Sequence, residues 1–293
     1  MTWWKSLKGK VKLDEPLDRY TSFKIGGRAN FFIQPYDTGD LKLLINRANR
    51  YNIPILVMGA GSNILINDLG VDAIVLKLSS PVFKKISCDG HSIQAGSAVT
   101  LRQLIQYALE KGLSGLEFLS GIPGTLGGAL VMNAGQSGKG ICCLADRVKV
   151  MDYRGRIKTL LKNDLEYAYR KSNLDKYIIL SARLKLVKKS KKEIRDTVKQ
   201  YASYRWNSQD TAVPNAGCIF KNPARKSAGK LIDLCGLKGK MLGGARISDK
   251  HANFILNFKS ASSRDVLKLM ELIRKRVKQK FNVKLEPEIK IWK

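Results

Sequence analysis

The segment Gly121-Ile-Pro-Gly-Thr-Leu-Gly-Gly-Ala129 constrains this chain most, because it packs four glycines into eight positions. Lacking a Cβ, such a turn lets backbone N–H groups come close to phosphate oxygens. Gly121, Ile122, Pro123, Gly124, Thr125, Gly127, Gly128 and Ala129 form a dense turn that opens a short helix of small residues ending near Asn133. An earlier turn, Gly59, Ala60, Gly61, Ser62 and Asn63, follows the apolar residues 54–58 and is the first of two glycine loops along the chain; its Ser and Asn add side-chain donors. Alone that first loop is weak evidence, since most glycine turns after strands are structural. It is not a GxGxxG fingerprint followed by a helix, and no Gly-Lys-Ser/Thr makes a P-loop. Together the two loops predict a long ligand with a pyrophosphate lying between them.

Alternating apolar periods around the loops predict both helices and strands. Residues 31–34 read as extended, and residues 40–51 as a helix with Leu41, Leu44, Ile45 and Ala48 on one face. Residues 54–58 and 73–78 read as strands. Thr100 caps a helix through Glu110 that stops at Gly112. Residues 148–152 and 156–160 read as a hairpin turning at Arg154-Gly155, with a further strand over 177–187. Beyond residue 190 the pattern gives a basic helix over 191–206, helices over 227–235 and 262–280, and a terminal strand over 283–292. Three consecutive segments are expected: 1–80, 81–190 and 191–293.

Composition removes several function classes. Hydrophobic residues at 44% and charged residues at 26% describe a globular chain rather than a disordered one. No apolar run is long enough to cross a bilayer, which predicts no membrane insertion. The N-terminus lacks the pattern of a secretory leader. The five cysteines contain no CxxC pair, and with only two histidines they predict neither a disulfide framework nor a metal site. Reduced thiols in the cytoplasm are the expectation. The net charge of +29 makes nucleic acid the first suspect. The lysines are spread along the chain, however, without a nucleic-acid-binding motif. A solvated basic surface is expected, one that attracts substrates carrying several phosphates.

The sequence then resembles a known family. The strings are Tyr20-Thr-Ser-Phe-Lys-Ile-Gly-Gly27, Met58-Gly-Ala-Gly-Ser-Asn-Ile-Leu65 and Gly115-Leu-Glu-Phe-Leu-Ser-Gly-Ile-Pro-Gly-Thr-Leu-Gly-Gly128. Met132-Asn-Ala-Gly135, Tyr169-Arg-Lys-Ser172 and Ala216-Gly-Cys-Ile-Phe-Lys-Asn-Pro223 follow. Gly236-Leu-Lys-Gly239, Gly243-Gly-Ala245, Lys250-His-Ala-Asn-Phe-Ile255 and Leu285-Glu-Pro-Glu288 complete the order. They resemble the UDP-N-acetylenolpyruvoylglucosamine reductase family, from about residue 15 to 292.

The resemblance implies a two-subdomain FAD-binding fold of the vanillyl-alcohol-oxidase (PCMH) type with a C-terminal α+β substrate-binding domain. It implies noncovalent FAD, NADPH as co-substrate, and reduction of UDP-N-acetylglucosamine enolpyruvate to UDP-N-acetylmuramate for peptidoglycan synthesis. Arg170 and Glu288 match the family's catalytic Arg and Glu. Cys218 stands where the family usually has a proton-donating serine. A guanidinium suits a substrate carboxylate that gains charge, and a thiol, with a pKa of about 8.5, is a stronger acid than an alcohol. Glu288 either assists as a protonated acid or orients the Arg.

Lys221 and Asn222 are candidate contacts for the UDP moiety, with a surface Lys and a turn Asn as the plain alternative. Arg205 is a candidate for a substrate phosphate, or else part of a basic helix face. His251 is read as structural. Only nine residues separate Ser172 from Ala182, which places the chain in the shorter family branch without the extra loop and its Tyr clamp. Two rivals stay open: another FAD oxidoreductase on the same scaffold, such as a sugar or alcohol oxidase, and a non-catalytic polyanion-binding protein. The oligomeric state is not legible.

Overall fold

Periods of 3.6 and 2 alternate along the chain, and each produces the element its pattern demands. The computed structural model describes residues 2–136, 138–224 and 226–293. Helix Thr38–Arg50 buries Leu41, Leu44, Ile45 and Ala48 on one face and starts where the Asp37 carboxylate accepts the Asp40 N–H. Helix Leu101–Lys111 starts on a reciprocal cap between Thr100 and Gln103 and ends on Gly112 in the left-handed conformation.

Packing divides the chain into two compact units. The first comprises Met1–Leu13, Phe31–Ala60 and Ala73–Tyr204, and the second Asp14–Asn30, Gly61–Asp72 and Arg205–Lys293. This partition differs from the consecutive segments 1–80, 81–190 and 191–293. Phe23, Ile25 and Leu65 are buried in one core with Ile219, Phe220 and Ile289, so two early pieces of chain belong with the late one. Such long-range packing leaves no local mark on those pieces.

The first unit holds two apolar cores. One joins Trp3, Ile33, Leu44, Ile74, Met151 and Leu180. The other packs helices Leu101–Lys111 and Leu126–Val131 around Ile93, Val148, Ala182 and Leu184. Its sheet runs, in spatial order, Ile157–Leu161, Ala145–Met151, Ile178–Lys185, Ser92–Gly96 and Ile86–Asp89, with every neighbouring pair antiparallel. The expected hairpin is present, with Met151 opposite Ile157.

In the second unit the sheet order is Asn215–Cys218, Phe254–Asn257, Ala245–Ile247 and Met241–Leu242. Helix Ser263–Phe281 buries Val266, Leu269, Met270, Ile273 and Val277. The strand expected over 283–292 is shorter: only Lys290–Trp292 forms one, parallel to Ile64–Ile66. Pro287 interrupts it, because a proline offers no N–H to a ladder. Residues 286–288 instead reach the 219–221 chain through an isolated bridge and two flanking hydrogen bonds. Among the described residues no helix is long and apolar enough to cross a membrane.

Ile273 is fully buried, whereas Leu69, in the same unit, is 94% exposed. Ile273→Ala is expected to cost about 2–5 kcal/mol in urea unfolding, and Leu69→Ala less than about 0.5 kcal/mol.

Candidate functional site

In the first unit the two glycine loops meet. Met58, after strand Ile55–Val57, donates its N–H to Leu76 and delivers Gly59 to the second loop. A Cβ on Gly59 would lie 2.8 Å from Thr125 Oγ1 and 3.9 Å from the Gly128 backbone, so the approach requires glycine. The second loop is built into the fold by Leu101 N–H to Gly124 O, Leu126 N–H to Val99 O, and Gly127 N–H to Ser97 O. Thr125 caps the helix Leu126–Val131 that follows. Two buried hydroxyls beside this loop, Ser97 Oγ and Ser120 Oγ, have no hydrogen-bond partner among the described residues. Lys77 Nζ donates to the Gly59 carbonyl at 3.0 Å. Burial, then the charge of Lys84, lowers the Lys77 pKa.

Arg170 belongs to the same unit. It occupies, with Tyr169, the two-residue turn between the short strands Tyr167–Ala168 and Lys171–Ser172. Its backbone is left-handed at φ 56°, and its guanidinium lies 5.0 Å from the Tyr169 ring centroid. A non-glycine residue held there costs roughly 1–3 kcal/mol, which persists only where surroundings fix it. Ser172 Oγ supplies such anchoring by donating to Leu130 O at 2.9 Å, and Asn133 Nδ2 by donating to Ala168 O at 2.9 Å. Both anchors tie the Arg170 hairpin to the C-terminal end of the helix that the second glycine loop opens.

In the second unit Gly61 is left-handed at φ 68°, and a Cβ there would meet the Tyr20 carbonyl oxygen at 2.1 Å. Asn63 of the same loop donates from Nδ2 to Glu288 O at 3.2 Å, and its carbonyl accepts the Lys290 N–H at 2.9 Å. Glu288 N–H donates to Ile219 O at 2.8 Å. One residue earlier stands Cys218, half-buried, after Gly217 at φ 75°. The second unit therefore joins Asn63, Cys218 and Glu288 through the Ile219 peptide. Ser62, between Gly61 and Asn63, is half-buried.

The candidate substrate contacts are more dispersed. Lys221 Nζ lies 3.7 Å from Glu286 Oε2, whose side chain is largely exposed, so the pair adds little. Asn222 Oδ1 accepts the Ala228 N–H and helps start helix Ala228–Leu234. Arg205 lies near the end of helix Lys191–Ser208. His251 accepts the Asn253 N–H on Nδ1 and packs on Phe254 with ring centroids 4.8 Å apart. Burial, with the charges of Lys238 and Arg205, lowers its pKa, against the pull of Asp210 and its own backbone hydrogen bond. These contacts engage the imidazole in the local fold.

Lys77, Ser97, Ser120 and Asn133 have no role legible in the sequence by itself. Ser120 and Asn133 do fall within family-like strings, and Asn133 is a polar residue in an apolar run, which is a usable signal. Lys77 and Ser97 have none, since their importance comes from what folds against them.

Residues 29–161 match the model of an FAD binding domain, and residues 208–292 that of the UDP-N-acetylenolpyruvoylglucosamine reductase C-terminal domain. The UDP-N-acetylenolpyruvoylglucosamine reductase of Chloroherpeton thalassium is 42% identical, over 97% of this chain and 94% of its own. Reductase 2 of Symbiobacterium thermophilum is 38% identical, over 97% of this chain and 92% of its own. The crystal structure of the Thermus caldophilus reductase superposes with a TM-score of 0.84 at 35% identity, covering 98% of this chain and all of that one. The 6-hydroxy-D-nicotine oxidase of Arthrobacter nicotinovorans, at TM-score 0.50 and 18% identity over 62% of this chain and 43% of its own, shares the fold alone. The fold is thus the expected FAD-binding type with a C-terminal α+β domain.

Gly61→Ala combines left-handed strain with a backbone clash, whereas Gly217→Ala, at φ 75° with nothing within 4 Å, meets strain alone. Urea unfolding is expected to show a loss of about 1–2 kcal/mol for Gly217→Ala and a clearly larger loss for Gly61→Ala.

Proposed function

The chain belongs to the UDP-N-acetylenolpyruvoylglucosamine reductase family, and from that premise we propose that it reduces UDP-N-acetylglucosamine enolpyruvate to UDP-N-acetylmuramate with NADPH, in the cytoplasm, for peptidoglycan synthesis. The observation that carries this reading is the junction in the second unit, where Glu288 N–H holds the carbonyl of the residue after Cys218.

The residues fit FAD. Gly59 brings the first loop against Thr125 where a side chain would intrude, and Ser97 Oγ and Ser120 Oγ are buried hydroxyls without a partner among the described residues beside the second loop. Burying such groups unpaired costs about 1–3 kcal/mol each, which a ligand's polar atoms offset. Gly59, Ala60, Gly61, Ser62 and Asn63 would hold the cofactor from the first loop. Gly121, Ile122, Pro123, Gly124, Thr125, Gly127, Gly128 and Ala129 would hold it from the second. Neither loop contains a His or Cys, which favours noncovalent binding. When bound, FAD supplies the hydride relay between NADPH and the enol ether.

The chain's own groups do the rest. Arg170 grips the substrate carboxylate with its planar fork and offsets the charge that builds there as hydride reaches the terminal carbon. The Cys218 thiol gives its proton to the carbon bearing the carboxylate, and the thiolate recovers a proton from solvent. Two electrons come from NADPH and one proton from the thiol, giving the lactyl ether and NADP+. Glu288, through its carboxyl, assists at the carboxylate end of the substrate. Lys221, Asn222 and Arg205 contact the UDP portion.

Anaerobic NADPH is expected to bleach the flavin band of the holoenzyme, and the enolpyruvyl substrate to restore it; a band that stays bleached contradicts the proposal. Arg170→Lys keeps charge and loses the fork. It is expected to slow the restoring step by about 10²-fold while leaving the bleaching rate unchanged, both read by stopped-flow absorbance.

A further inference from the structure

Strand Asn215–Cys218 does not simply end at Cys218. Its register against Phe254–Asn257 shifts between Asn215 and Cys218, and Cys218 then pairs with Phe254. From there the neighbouring strand has no regular ladder left to offer, and Asn253 takes its place. The Asn253 carbonyl accepts the Ile219 N–H at 2.8 Å. Its side chain then copies a strand for one more residue: Oδ1 accepts the Phe220 N–H at 3.0 Å, and Nδ2 donates to Phe220 O at 2.7 Å. On the opposite edge Glu288 N–H donates to Ile219 O, and Lys221 N–H to Glu286 O. The chain leaving Cys218 is gripped from both sides, by Asn253 and by the segment carrying Glu288.

We propose that Asn253 is a positioning residue for proton delivery, fixing the Cys218–Phe220 backbone so that the thiol is held in register with Glu288. The inference rests on the function proposed above. The planar Asn253 amide offers an acceptor to the N–H and a donor to the carbonyl of one residue, Phe220; an ionised carboxylate of the same size accepts alone and faces the Phe220 carbonyl with like polarity. Asn253 is 2% exposed, so water cannot replace the lost donor from bulk. The thiol itself is untouched by the substitution, and the effect is expected in its placement, where about 1 Å costs up to about 10²-fold.

The test uses the FAD-loaded, full-length enzyme and single-turnover rates, which report only on flavin-bearing molecules. Asn253→Asp is expected to slow reoxidation of the reduced flavin by the enolpyruvyl substrate at least about tenfold while NADPH reduces the flavin at the normal rate. Added to Cys218→Ala, the same substitution is expected to cause no further slowing, because its effect passes through the thiol. Asn253→Ser, a small hydrogen-bonding replacement, serves if Asn253→Asp yields no holoenzyme. Reoxidation at the normal rate, equal slowing of both half-reactions, or full additivity with Cys218→Ala overturns the proposal. If wild-type reduced enzyme is not oxidised by the substrate at all, the functional reading fails instead.

Discussion

Ile219 is hydrogen bonded through both of its backbone groups, its N–H to the Asn253 carbonyl and its carbonyl to the Glu288 N–H. Glu288 in turn is held at its own carbonyl by Asn63, a residue of the first glycine loop. Through this one residue, the chain beside Cys218, Asn253 and the segment carrying Glu288 acquire fixed relations. Both Ile219 and Phe220 are fully buried, so these hydrogen bonds have no competing water. Each contributes about 0.5–1.5 kcal/mol when made. Their larger consequence is geometric, because they leave the backbone beside Cys218 little freedom.

The first unit solves a related problem differently. Arg170 sits in a tight hairpin turn with unfavourable backbone angles. A free hairpin of this length would not hold that conformation. Ser172 and Asn133 fasten it to the last turn of the helix begun by Thr125. The glycine loop proposed to hold FAD and the turn carrying Arg170 thus share one short helix as their support.

Much of this was legible in the sequence, for physical reasons that differ by element. Helix Thr38–Arg50 and the hairpin at Gly155 follow from local periodicity and turn chemistry, which one stretch of chain states by itself. Gly121, Gly124, Gly127 and Gly128 mark their loop because a purely structural turn rarely needs four glycines in eight positions. The roles proposed for Cys218 and Glu288 come from motif resemblance, which local pattern alone does not supply. What stayed hidden depends on distant partners. The assignment of residues 14–30 and 61–72 to the second unit rests on Phe23, Ile25 and Leu65 meeting residues far along the chain. The terminal strand is shorter than residues 283–292 because Pro287 cannot donate to a ladder, a limit that apolar alternation does not carry. Asn253 stood inside a quoted motif, yet only its pairing with Phe220 reveals what the amide does.

The proposed mechanism depends most on the thiol at position 218. A thiol deprotonates far more readily than a serine hydroxyl, so one acid can replace the other without rebuilding the backbone around it. The most direct test compares wild-type enzyme with Cys218→Ala, each first reduced by NADPH without oxygen and then mixed with the enolpyruvyl substrate. The account predicts unchanged flavin reduction and reoxidation slowed by about 10²–10⁴-fold. Reoxidation of Cys218→Ala at the wild-type rate would contradict it.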